Sequence, residues 1–229
     1  MAIAFDVASN GRAGPSVTSL TFSHTCTGSN LILVVGTSVS DTTDTNRPVT
    51  GITYAGVAMT KIREDDEATA DFTSGLWYLI NPATGANNIV VTTTGSVSRI
   101  IAGGISLTGA AQSGQPDAHN GALTTTTSIT VDVTTVADNC WVIDAYSSSW
   151  GGTNPVAGGG QTQRWINAGT AADGIGSTEG PKTPAGAVTM SWTAGSLPSA
   201  GAISAASFAP SGVSAVTTLS SLLLMGVGM

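Results

Sequence analysis

Short apolar or β-branched runs, about five to ten residues each, recur along the whole chain, and clusters of Gly, Pro, Asn or Asp separate them. They fall near 3–7, 17–23, 31–39, 50–62, 72–80, 88–94, 97–108, 127–134, 140–147, 161–167, 186–193 and 199–209. No window sustains the 3.6-residue apolar period of a helix, so strands are the element that this pattern can build. At most one or two short helices are expected, around 108–113. Ile129-Thr130-Val131-Asp132-Val133 alternates, with the odd positions facing a core and Asp132 facing water. Leu31-Ile32-Leu33-Val34-Val35 is apolar on both faces, as in a central strand covered on both sides or one lying against a neighbouring subunit. Ala55-Gly56, between two alternating runs, is suited to a tight hairpin. So many strands in one unit predict an all-β fold, a jelly-roll-like antiparallel β-sandwich of twelve or more strands in two packed sheets. A propeller needs a repeat of about 40–50 residues, and none is visible.

The pattern stops at Pro210. Residues 1–210 read as one β-sandwich domain, and 211–229 as a linker with an apolar C-terminal arm carrying Leu219, Leu222, Leu223, Leu224, Met225 and Val227. The apolar end is shorter than the roughly 20 residues that span a bilayer. Two readings of it stay open: a last element folded back on its own domain, or an arm that docks on a neighbouring copy.

Charge narrows the partners. The 229 residues carry 7 Lys+Arg against 14 Asp+Glu, a net charge of −7, and only 9% are charged. The cations, Lys61, Lys182 and five scattered Arg, form no stripe that could neutralise phosphates, which argues against nucleic acid and against an anionic membrane. The 34 Thr, 26 Ser and 29 Gly imply a surface of hydroxyls and backbone instead. The first residues, Met1 to Val7, lack a basic and apolar leader and read directly as a strand. No Asn lies in an Asn-x-Ser/Thr acceptor site.

Residues able to do chemistry are few. Cys26 and Cys140 are the only cysteines and offer neither a disulfide scaffold nor a CxxC metal site; two free thiols or one bridge both remain open. His24 shares a strand face with Cys26, but nothing in the sequence marks a third partner, and His119 lies in a Gly-rich stretch. Gly174-Ile175-Gly176-Ser177-Thr178-Glu179-Gly180 misses the dinucleotide-loop spacing by one residue. A glycosidase pair would need two facing carboxylates. Glu64 and Glu67 belong to an acidic run expected to be a solvated loop, Glu179 is the one other Glu, and Asp132 should point away from Asp144. No cofactor is expected. Calcium in the 41–46 or 64–71 stretch is a weak exception, because neither has the spacing of a known loop. Trp77 and Trp141 stand in apolar runs and read as core, whereas Trp150, Trp165 and the neighbouring Arg164 form a candidate ligand surface, to be weighed against simple packing at a rim.

Several landmarks occur in a fixed order: Asn30 to Gly36, Ile52 to Lys61, Leu76 to Gly85, Gln161 to Trp165, and Met190-Ser191-Trp192. Over residues 15–210 this resembles a group of largely uncharacterised β-sandwich domains encoded by tailed phages and environmental bacteria. The resemblance implies a virion structural or surface-display protein and supplies no catalytic residues. The expectation is therefore a non-enzymatic bacteriophage protein, a head decoration or capsid-associated protein or a tail or fibre component. It would be located in the virion as a homo-oligomer with other virion proteins. The main alternative is a lectin-like or adhesin module at the cell surface that binds a host glycan; a polysaccharide-degrading enzyme stands third.

Overall fold

A computed structural model describes residues 2–40, 49–67, 72–148, 154–167, 173–194 and 200–212. The protein is all-β, an antiparallel β-sandwich, with no helix among the described residues. The strands of the first half are β1 (Ala4–Ala13), β2 (Val17–Cys26), β3 (Ile32–Ser40), β4 (Val49–Tyr54), β5 (Val57–Ala58), β6 (Thr60–Glu67), β7 (Phe72–Ile80), β8 (Gly85–Val97) and β9 (Arg99–Thr108). The second half contains β10 (Ala118–Thr124), β11 (Ser128–Thr134), β12 (Cys140–Ser148), β13 (Val156–Ala157), β14 (Thr162–Asn167), β15 (Asp173–Lys182), β16 (Ala187–Thr193) and β17 (Gly201–Phe208).

These strands form four sheets rather than the two expected. The first outer sheet runs β2-β8-β4-β5 and the first inner sheet β1-β9-β3-β7-β6. The second inner sheet runs β10-β17-β12-β15-β14 and the second outer sheet β11-β16-β13. Three apolar cores separate the four layers. Leu33, Val35, Ile52, Tyr54 and Ile89 fill the first. Ile32, Val34, Ile101, Ile143 and Trp165 fill the middle one, between the two inner sheets. Val131, Tyr146, Met190, Trp192 and Ile203 fill the third. The physical reason for the doubling is legible in β3: Leu33 and Val35 enter the first core while Ile32 and Val34 enter the middle one, so a strand apolar on both faces is buried on both.

Local expectations fare unevenly. Ala55 and Gly56 both take positive φ (50° and 80°) between the paired residues Tyr54 and Val57, the two-residue hairpin that the sequence predicts. In β11, Ile129, Val131 and Val133 are buried and Asp132 is exposed, as alternation requires. The segment around 108–113 is not helical: Gly109 sits at φ 71° and Ala110 bridges Pro210. The acidic run 64–67 is not a solvated loop but part of β6, paired with β7 from Thr60↔Tyr78 to Glu67↔Phe72, with Glu67 buried. The Gly174–Gly180 stretch lies within strand β15.

Candidate functional site

Two clusters of polar side chains lie inside the sandwich, one in each half. In the first, His24 on β2 is 1% exposed and meets Ser9 of β1 through Nδ1 (2.7 Å) and Ser106 of β9 through Nε2 (3.1 Å). Ser106 also donates to Asp6, at 2.7 Å. Asp6 stands where the β1–β9 register shifts between Phe5 and Ala8, and it further accepts from the Thr27 backbone N–H (2.9 Å) and the Thr27 hydroxyl. The proton order follows from this geometry. A serine hydroxyl has one proton; Ser106 gives it to Asp6, so it accepts from a protonated Nε2, and Nδ1 is left to accept from Ser9. Burial lowers the His24 pKa from 6.5 to about 4 against the opposing pull of Asp6, which keeps the ring neutral. Toward Ser106 the ring thus presents a proton, and toward Ser9 its Nδ1 lone pair. The relay Ser9 to His24 to Ser106 to Asp6 therefore ties β1, β2 and β9 together.

Nearby, Tyr54 packs edge-on to His24, with ring centroids 6.3 Å apart, and donates to the carbonyl oxygens of His24 and Gly85. Cys26 and Cys140 are both free and buried, and burial pushes both thiols up, Cys140 to about 12, away from the reactive thiolate.

The second cluster centres on Asp144 of β12, which is 0% exposed. Its Oδ1 accepts from the backbone N–H (2.7 Å) and hydroxyl (2.9 Å) of Ser177, and its Oδ2 from Trp192 Nε1 (2.7 Å) and Gln161 Nε2 (3.2 Å). Gln161 is oriented by its own Oε1, which accepts from the N–H groups of Ser191 (2.7 Å) and Gly158 (3.2 Å). Tyr146 stacks on the Trp192 indole at 6.3 Å and 9°. Desolvation raises the Asp144 pKa to about 6 even though its donors pull it down. Asp132 lies apart on the exposed face of β11, held by Thr189, so the two strand aspartates do not form a pair.

The candidate ligand surface does not assemble. Trp165 is 3% exposed and fills the middle core, where a Cβ added at Gly103 would come within 2.1 Å of its ring. Its burial is a correction to the ligand-platform reading, and its cause is a glycine on the facing sheet that strand periodicity could not reveal. Arg164, at the bulge between Gln163 and Trp165, is half-buried at the edge of the same core: Nε donates to Thr178 (2.8 Å) and the guanidinium lies 3.9 Å over the Phe5 ring. Trp150, the 41–46 stretch, residues 68–71 and the arm residues Leu219, Leu222, Leu223, Leu224, Met225 and Val227 lie outside the described residues. Lys61 and Arg63 already hold Glu64 and Asp65 of the acidic run, and Glu64 also accepts from the Val49 N–H. Among the described residues no three His, Cys, Asp or Glu side chains converge as a metal site.

Sequence reasoning missed Asp6, Ser9, Ser106, Gln161 and Ser177. Ser106 lies 82 residues from His24 and 100 from Asp6, and hydroxyl residues are too common in this chain to stand out. Comparison with protein families, with characterised proteins and with solved structures gives no match.

Proposed function

We propose that this chain is a non-enzymatic structural protein of a bacteriophage particle, either a head decoration or capsid-associated protein or a tail or fibre component, with each half a jelly-roll-like sandwich. The observation that carries this reading is the character of the two buried clusters. In each, the central residue, His24 or Asp144, is buried and spends its hydrogen bonds on neighbouring strands, with Asp6 at the half-buried edge of the first. The hydroxyl-rich, weakly charged composition and the ordered landmarks of residues 15–210 support it from the sequence side. Function in this reading is assembly. Stacked sheets give a rigid body, and the apolar arm of 211–229 latches onto a neighbouring copy in a homo-oligomer within the virion.

Mass spectrometry of gradient-purified particles tests the location: peptides of this chain should be present at stoichiometric level, and their absence overturns the reading. Light scattering on a sizing column tests the latch. Full-length protein should run as a defined oligomer and a chain ending at Pro210 as a monomer; identical monomers from both would remove the arm from assembly.

A further inference from the structure

The two halves carry the same strand order. Replacing β1, β9, β3, β7 and β6 by β10, β17, β12, β15 and β14 turns one inner sheet into the other, and β2-β8-β4 corresponds to β11-β16-β13 in the outer sheets. The match extends to residues. At a constant offset of 109, Leu20 to Val39 aligns without a gap onto Ile129 to Ser148, and it pairs Asn30 with Asn139, both at positive φ (49° and 60°) before the central strand. At an offset of 101, Gly85-Ala86 aligns with Gly186-Ala187 and Ser106 with Ser207. β6 and β14 are each irregular at the same place, between Lys61 and Arg63 and between Gln163 and Trp165, one and three residues after Thr60 and one and three after Thr162. The aspartate that anchors the first strand recurs as well. Asp6 accepts from Ser106 and the Thr27 N–H, and Asp117 accepts from Ser207 (3.0 Å) and the Val136 N–H (2.6 Å), the equivalents of Ser106 and Thr27.

Equivalent residues also meet. Ser38 and Ser147, equivalent at the 109 offset, hydrogen-bond to each other at 2.7 Å across the middle core. Gly36 faces its own equivalent, Ala145, so closely that a Cβ on the glycine would come within 2.6 Å of the alanine Cβ. Away from this point the contacts are reciprocal: β1 packs beside β14 as β10 does beside β6, and β9 beside β14 as β17 does beside β6. A surface in which a residue on the axis touches its own copy, and i meets j as j meets i, is the isologous interface of a two-fold dimer.

We infer that the chain is one sandwich unit repeated in tandem, and that its inner-sheet face is a self-complementary surface whose partner is a second copy of that unit. The copies have diverged so that only the unlike pairing fits. Trp165 of the second copy occupies the space over Gly103, whereas the equivalent of Gly103 is Ser204, whose hydroxyl donates to Asp65 (2.5 Å) beside Arg63, the equivalent of Trp165. A pair of second copies would drive Trp165 into Ser204. A pair of first copies would leave Asp65 without that hydroxyl.

The test uses the whole chain with a protease site inserted between Ser113 and Gly114, in an exposed turn where a Cβ at Gly114 meets nothing. After cutting, the halves should elute together at micromolar concentration and, once unfolded and refolded, re-form a one-to-one complex. In a second variant, Ser38→Cys with Ser147→Cys, mild oxidation should join the cut halves into one band of full-length size that reduction splits in two. Halves that separate after cutting, refolded halves that pair like with like, or a cysteine pair that stays unjoined in the folded protein would each overturn the inference.

Discussion

The two halves build one fold around different interiors. Where the second half buries Asp144, the first has Val35 at the equivalent position in its own core. Where the first half buries His24, the second has Val133, equally buried. Each half therefore buries a titratable residue where the other has valine, on a different strand, and in each case neighbours supply its hydrogen bonds: Ser9 and Ser106 for the imidazole, and Ser177, Trp192 and Gln161 for the carboxylate. The backbone does not dictate the chemistry of its core; local satisfaction of polar groups does. The inter-half face shows the same divergence, with an indole over a glycine on one side and an ion pair over a serine on the other.

The largest expected effect comes from that face. Trp165→Ala should cost about 3–5 kcal/mol in urea unfolding, as for other buried aromatic truncations. Arg63→Ala, at the equivalent position but partly exposed and held by Asp65 and His119, should cost about 1–2 kcal/mol. Equal costs would mean that the two sides of the interface are not as different as their geometry implies.

Exchanging interior residues between the halves comes next. Asp144→Val installs the residue of the first half but strands the Ser177 and Trp192 donors, so a loss of about 2–4 kcal/mol is expected. His24→Val should cost about 1–2 kcal/mol, because Ser106 keeps Asp6 as its acceptor. A milder outcome for Asp144→Val than for His24→Val would reverse the assigned importance of the two clusters.

The pH dependence of the two clusters has opposite sign. Asp144, raised from 3.8 to about 6, binds its proton more tightly folded than unfolded, so its contribution to stability falls as pH rises from about 4 to about 6. His24, lowered from 6.5 to about 4, resists protonation in the fold, so its contribution is complete above 6.5 and is lost as pH falls toward 4. In that shared window each slope reaches at most about 1.4 kcal/mol per pH unit, and the two oppose each other. Urea midpoints between pH 4.5 and 6.5 should rise with pH for Asp144→Val more steeply than for the parent, and less steeply for His24→Val. Parallel profiles for the three proteins would count against both protonation assignments.

The smallest effect lies on the local axis. Ser38→Ala and Ser147→Ala should each cost about 1 kcal/mol, and the double variant should cost less than their sum by about 0.5–1 kcal/mol, the coupling of a shared hydrogen bond. Strict additivity would mean that the two hydroxyls do not act on each other.

Much of the local structure could be read beforehand, because it depends on neighbours in the chain. Alternation placed Val131 inward and Asp132 outward, and Ala55-Gly56 marked its hairpin, since side-chain direction in a strand and positive φ in a tight turn are properties of a few consecutive residues. The acidic run 64–67 misled for the opposite reason. Its charges suggest water, yet pairing with β7 makes it a strand, and Lys61, Arg63 and Ser204 receive its carboxylates. The repeat is faint in the sequence because its period is about 100 residues and the match resides in scattered Gly, Asn, Ser and Asp, not in a contiguous motif.

The amino-acid sequence by itself determined that this chain is all-β, where many of its strands and turns fall, and that β3 must be covered on both faces, because a run such as Leu31 to Val35 leaves no side for water. Tertiary structure alone decided that four sheets stack instead of two, that Trp165 meets Gly103, and that Asp144 and His24 find their donors and acceptors. Those outcomes depend on which distant strands become neighbours. That choice is made by the fit of whole sheet faces, in which one missing Cβ admits an indole and one placed hydroxyl satisfies a charge.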